Sequence, residues 1–171
     1  MQMVKKAVLF LLVFWFATLI FMPKKQLYYT LENELLKQDI VINEESIDEG
    51  IFSLNIKGAK VYAKGINIAS VDEISIFTLL FYNSVNVKNI LFDDSLKNFV
   101  PSKVDKTVAI NSILSPSKVF ITTLGTFGLA EGVVDLGTNN LRIDIVDEKD
   151  IKTIKSQLKK DEKGLYYETS F

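Results

Sequence analysis

From Asp39 onward the chain alternates between apolar and polar residues, and that rhythm restricts its fold more than any other feature. In "IFSLNIKGAKVYAKGINIASVDEISIF", Phe52, Leu54 and Ile56 alternate with Ser53, Asn55 and Lys57; after Gly58 the apolar set moves to Ala59, Val61 and Ala63. A period of two sends successive side chains to opposite faces of an extended strand, so the stretch predicts strand, turn, strand. Gly65 precedes Ile66 and Ile68, a turn is expected at Asp72 to Glu73, and a further strand runs through Ile74, Ile76, Thr78 and Leu80. Val85 and Val87 continue the pattern before Ile90 and Phe92.

The polar stretch "DDSLKNFVPSKVDK" at 93–106, with Pro101, predicts a loop or edge. Strands resume at Val108 and Ile110, Val119 and Ile121, Gly132 to Leu136, and Leu141, Ile143 and Ile145, with "GTNN" at 137–140 as a hairpin turn. Ile151, Ile154 and Leu158 then recur at helical spacing, which predicts a late helix stopped by Gly164, and "LYYETSF" predicts a closing strand. The fold class expected is mainly β, an antiparallel sheet with one or two short flanking helices.

Ahead of the sheet lies "KKAVLFLLVFWFATLIFMPKK". Its 16 residues from Ala7 to Met22 carry no charge, and as a helix they extend about 24 Å, short of a hydrocarbon core of roughly 30 Å. Lysine pairs on both sides can close the gap by snorkelling. A core helix of a water-soluble protein would show a polar stripe, and this run offers only Thr18. A cleaved signal peptide would end in small residues, whereas Leu19 to Pro23 reads L-I-F-M-P. The expectation is a retained transmembrane anchor over residues 1–25, with Ala7, Leu11, Trp15, Leu19 and Met22 in membrane lipid, and a β-rich domain over 26–171. Six residues precede the apolar run, and a short basic lead ordinarily stays in the cytoplasm. The domain would then be exported, to the periplasm in a cell with two membranes.

After Pro23, "KKQLYYTLENELLKQD" places Leu27, Tyr28, Leu31, Leu35 and Leu36 on one face of a short helix. Its expected role is to cover the first strands, the alternative being a helix that lies on the membrane surface.

Composition removes whole classes of function. Histidine and cysteine are absent, which takes away the commonest general base, thiolate nucleophiles, disulfides and most transition-metal sites. Without Lys5 and Lys6 the chain has 18 basic against 21 acidic residues, and Arg142 is its one arginine. No basic excess is available for nucleic acid, and bidentate phosphate recognition is disfavoured.

Local candidates for chemistry are weak. Asp93 and Asp94 are adjacent loop acids, ordinarily solvated. Asp144, Asp147, Glu148 and Asp150 suit capping of the late helix. The glycines of "GTFGLAEGVVDLG" at 125–137 match neither a dinucleotide fingerprint nor a P-loop and suggest bulges or bends. A Ser-Lys pair at Ser117 and Lys118 would diverge on a strand. The sequence therefore predicts no enzyme and no cofactor. What remains is apolar surface: so many alternating strands need cover that two short helices supply only in part. Either the sheet curls on itself, or it leaves a groove for an acyl chain or a partner strand; Leu54, Ile56, Val61, Ile68, Ile76 and Val87 are the residues expected to line that groove or to interdigitate in a closed core.

An anchor ending in proline, the "LYYTLENEL" helix, "LNIKGAKVYAKGINIASVDEISIFTLLFYNSVNVKNI", and a close of "VVDLGTNNLRIDIV" with the aromatic "GLYYETSF" together resemble the type II secretion N protein and the wider AsmA-like group of bacterial envelope proteins. The resemblance implies a curved or taco-like sheet anchored in the bacterial inner membrane and facing the periplasm. It implies a structural component of a secretion assembly that binds envelope partners through exposed strand edges, or alternatively a lipid-binding or lipid-transfer module that holds acyl chains on an apolar face. It transfers no catalytic residues.

Overall fold

The computed structural model describes residues 2–171 except Met22, Leu80 and Lys163, and except the side chain of Leu19. Two helices, α1 (Gln2–Phe21) and α2 (Lys24–Leu36), precede eleven strands. These are β1 (Ile40–Asn43), β2 (Ser46–Glu49), β3 (Ser53–Ala63), β4 (Ile66–Leu79), β5 (Tyr82–Phe92), β6 (Lys103–Ser112), β7 (Lys118–Gly125), β8 (Gly128–Asp135), β9 (Asn140–Glu148), β10 (Lys159–Asp161) and β11 (Gly164–Ser170). All belong to one open antiparallel sheet in the order β1-β3-β4-β5-β6-β7-β8-β9-β11-β10, with β2 also on β3. The mainly β expectation holds, and the closing strand and the 137–140 turn fall where the sequence put them.

Two expected turns are not turns. β3 runs unbroken through Gly58 and β4 through Asp72 and Glu73. The apolar phase nevertheless slips in both, and it slips again in β5 between Val87 and Ile90 and in β6 between Val104 and Thr107. The cause is a transverse row of residues, Gly58, Asp72, Asn89 and Asp105, lying opposite one another between paired positions. Gly58 and Asn89 take left-handed backbone angles, φ 63° and 51°, and Asn89 Nδ2 donates to Asp72 Oδ2 at 2.8 Å. Each strand inserts one residue at the same level, so every strand resumes alternation with its apolar side on the same face. At the β6/β7 pair the register itself shifts between Val104 and Lys106, and β7 continues without a slip, which makes Asp105 a bulge.

The late helix is also corrected. Residues 151–158 form turns with one 3₁₀ turn at Lys155–Gln157, and the chain then extends into β10. Pairing of Lys159–Asp161 with Gly164–Tyr166 satisfies backbone groups that a helix would have used. Asp144 therefore caps nothing; it sits within β9.

Among the described residues no helix is long and apolar enough to cross a membrane, which corrects the expected transmembrane helix. α1 has 20 residues, but Lys5 and Lys6 occupy its start, and Ala7 to Phe21 rises only about 22 Å against roughly 30 Å of hydrocarbon. Its surface is still apolar on all sides and open, with Phe10 at 70 % and Phe14 at 64 % exposure.

Candidate apolar binding face

Antiparallel register places directly opposed residues on one face. A first row crosses the sheet as Leu54, Ile76, Val85, Ala109, Ile121, Gly132, Ile143 and Tyr167. A second runs Ile47, Ile56, Ile74, Val87, Thr107, Thr123, Ala130 and Ile145. Beyond the phase slip a third continues through Ala59, Val71, Ile90, Val104, Gly125 and Gly128. One face is thus apolar across β3 to β9. The other carries polar ladders such as Lys57, Glu73, Lys88 and Lys106, with Lys88 Nζ 2.9 Å from Glu73 Oε2.

Two covers lie on the apolar face, one towards each lateral edge. α2 lays Tyr28 onto Leu54, Ile56, Ala59 and Val71, forming the first buried cluster. The turns at 149–158 bring Ile151 onto Phe127, Val104, Ala130 and Ile145, forming the second, with Ile154 and Leu158 packed against it. Each cover leaves an apolar cleft of about 210 Å³ at its margin. One lies among Leu27, Tyr28, Leu31, Leu54, Ile76 and Thr78; the other includes Phe127, Ala130, Ile143, Ile154, Leu158 and Tyr167. Between them Val85, Val87, Thr107, Ala109, Ile121 and Thr123 are only half-buried. The Thr107 and Thr123 hydroxyls satisfy each other at 2.7 Å, so they add little polarity to this strip.

Tyr28 is the one electrostatic feature of the first cluster. Its hydroxyl is buried without a partner of good hydrogen-bond geometry, while burial and the nearby Glu32 and Glu44 carboxylates push its ionisation well above the ordinary phenol range. Burial, reinforced by Glu44, also raises the Glu32 pKa above the usual carboxylate value, against the hydrogen bond with Tyr28 that lowers it. Tyr28 is therefore a neutral, apolar-seated ring at ordinary pH.

Of the six residues expected in a groove or a core, Leu54 at 3 % and Ile56 at 1 % exposure belong to the core beneath α2, and Leu54 also forms part of the wall of the cleft beside that helix. Ile76 and Val87 pack against that core while remaining half-buried. Val61 shares the face with Ala69 and Phe92, and Ile68 falls at the bulge opposite Val61 and Tyr62. The alternation alone could not separate covered from uncovered positions. Phe127 and Ala130 were missed, although they stand in the glycine-bearing stretch whose bends bring them together.

On α1, Ala7 is exposed; Leu11 and Trp15, with Val8 and Leu12, face Phe81 and Ile113 across a shallow apolar gap. Met22 and the Leu19 side chain lie outside the described residues. Asp93 Oδ1 accepts from the Ser95 backbone N–H at 2.9 Å, capping a 3₁₀ turn, and among the described residues no three acidic, histidine or cysteine side chains converge as a metal site. No family model, no curated protein and no solved structure matches this chain.

Proposed function

We propose that this protein is a membrane-associated, non-enzymatic module that holds lipid acyl chains on the apolar face of its sheet, in the manner of an AsmA-like lipid-binding domain. The observation that supports this reading is the uncovered strip between the two covers. Two apolar clefts are joined by half-buried aliphatic side chains, and a water-exposed face of that composition is unfavourable at about 25 cal/mol per Å² unless something apolar occupies it. Twist accumulated over so many strands would curl the sheet around that occupant. α1, apolar on every side, is embedded in lipid. The bacterial inner membrane, with the sheet on the periplasmic side, is the proposed location.

The test uses the full chain in vesicles containing a phospholipid with a diazirine on its acyl chain. Photolysis is expected to label Val87, Ala109, Ile121 and the two cleft linings. Adducts confined to α1 would sink the groove reading.

A second reading, a structural component of a secretion assembly, is favoured by a different observation. On the opposite face Phe77 and Phe120, at 37 % and 46 % exposure, lie in one cross-strand row with Ile110 and Val133. Such a row suits an envelope protein partner. Pairing through strand edges is less suited, because β10 has three residues and the other edge is broken between β1 and β2. Co-purification from the native membrane that is lost in Phe77→Ser and Phe120→Ser would support it.

A further inference from the structure

The two ends of the sheet differ in chemistry. Connections at one end are β2–β3, β4–β5, β6–β7 and β8–β9, and the residue after β11 joins them, since Phe171 N–H donates to Asn139 O at 3.0 Å. Every one of these tips shows a large apolar side chain to solvent: Ile51 at 60 %, Phe81 at 56 %, Leu114 at 91 %, Leu136 at 51 % and Phe171 at 65 %. Hairpin tips ordinarily carry Gly, Asn, Asp and Ser, for which turn geometry and hydration both select. The opposite end follows that rule more closely, with Lys64, Asp93, Asp94, Lys149 and Asp150 exposed at its turns; Ile66 and Phe99 are apolar exceptions there.

The apolar end is also the end at which α1 lies. The middle of that helix, Val8 to Trp15, faces Phe81 from the β4–β5 tip and Ile113 from the β6–β7 tip. Side chains that face one another share one solvent, so the medium around the middle of α1 is also the medium around these tips. From this we infer that the whole row of tips is a bilayer-docking rim: Ile51, Phe81, Ile113, Leu114 and Leu136 insert beside α1 into the acyl region below the headgroups. The strands then stand on the membrane, charged end outward, and the uncovered apolar strip faces the bilayer across the row of Thr78, Asn83, Asn111 and Val119. This inference rests on the membrane reading of α1 and adds to it that the sheet itself enters the bilayer. The occupant is lipid because the tips are spread along a line and extend the surface of a helix that is apolar all round.

The chain has no cysteine, so single substitutions can be labelled uniquely, and Trp15 is its only tryptophan. Full-length Leu114→Cys, Leu136→Cys, Asp94→Cys and Lys149→Cys, each carrying an NBD fluorophore, are placed in vesicles of phosphatidylethanolamine and phosphatidylglycerol. The vesicles contain lipid bearing a nitroxide high on the acyl chain. Labels at 114 and 136 are expected to lose most of their emission and to shift to the blue, while those at 94 and 149 keep the emission seen without quencher. Trp15 emission in vesicles of brominated lipid reports α1 separately. Quenched Trp15 with unquenched labels at 114 and 136 would overturn the rim and leave the helix in lipid; unquenched Trp15 would overturn the membrane reading and the rim together. Leu114 and Leu136 are exposed, so their replacement leaves the packed clusters intact.

Discussion

Arg142 on β9 reaches across β11 to Asp161 on β10, with Nη2 and Oδ2 2.5 Å apart. The same guanidinium forks onto Asp144 through Nε at 2.9 Å and Nη2 at 2.7 Å, and it lies 4.2 Å from the centre of the Tyr166 ring. The hydrogen bonds it donates to the Asp144 and Asp161 carboxylates hold its pKa above the ordinary guanidinium value, so it stays charged. The one arginine of the chain thus ties the three-residue edge strand to the sheet, on the face away from the proposed groove.

A lysine at this position supplies a single point charge and cannot hold two carboxylates in a planar fork. Arg142→Lys and Asp161→Asn are expected to speed amide exchange in β10 and the start of β11, with β3 to β5 unchanged. Uniform acceleration over the sheet would show that the cluster does not act locally.

How much of this was legible follows from particular residues. The alternation at Leu54, Ile56, Val85, Val87, Ile143 and Ile145 identifies the strands because burial of one face demands it. A phase slip in one strand, taken alone, looks like a turn, and Gly58 strengthens that impression. Only its partners, Asp72, Asn89 and Asp105, show it to be a shared insertion that leaves the ladder intact, and that is a long-range fact. The spacing of Ile151, Ile154 and Leu158 is that of a helix, yet the same residues serve as three anchors of a turn seated on Phe127. The apolar face itself was visible in the sequence; where α2 and the 149–158 turns cover it was not, because cover depends on tertiary docking.

Glu32 makes the docking of α2 depend on pH. Its folded pKa is raised, chiefly by burial and then by Glu44, so its ionisation opposes the folded state. The stability lost is regained as pH falls through the folded value and is fully present below the unfolded one, near 4.3 for glutamate. Glu32→Gln is therefore expected to raise the melting temperature at pH 7 and to flatten its rise towards mild acid. A melting temperature lowered at pH 7 would contradict this.

Gly128 and Gly65 both have positive φ, 102° and 79°, but their surroundings differ. A Cβ at Gly65 meets open space, whereas one at Gly128 would overlap the Asp147 carbonyl of the neighbouring strand β9. Gly65→Ala should cost only the left-handed backbone penalty, roughly 1–2 kcal/mol. Gly128→Ala must also push β8 from β9 and should cost more, by about 1–3 kcal/mol. Urea midpoints of the two variants give the comparison, and equal losses would argue against the tight β8/β9 approach.

Ile90 packs against both buried clusters, the one beneath α2 and the one beneath the 149–158 turns. Ile56, 1 % exposed, belongs to the first, and Ile145, 9 % exposed, to the second. Truncating either to alanine should cost about 2–5 kcal/mol. Because these two share no cluster, their losses should add within roughly 0.5 kcal/mol, whereas pairs made with Ile90→Ala should depart from additivity by about 0.5 kcal/mol or more. If Ile56→Ala and Ile145→Ala couple as strongly as either does with Ile90→Ala, the clusters form one undivided core. A continuous core of that kind would leave no uncovered strip between the two covers, so the same double-mutant cycle bears on whether the sheet has room for an acyl chain.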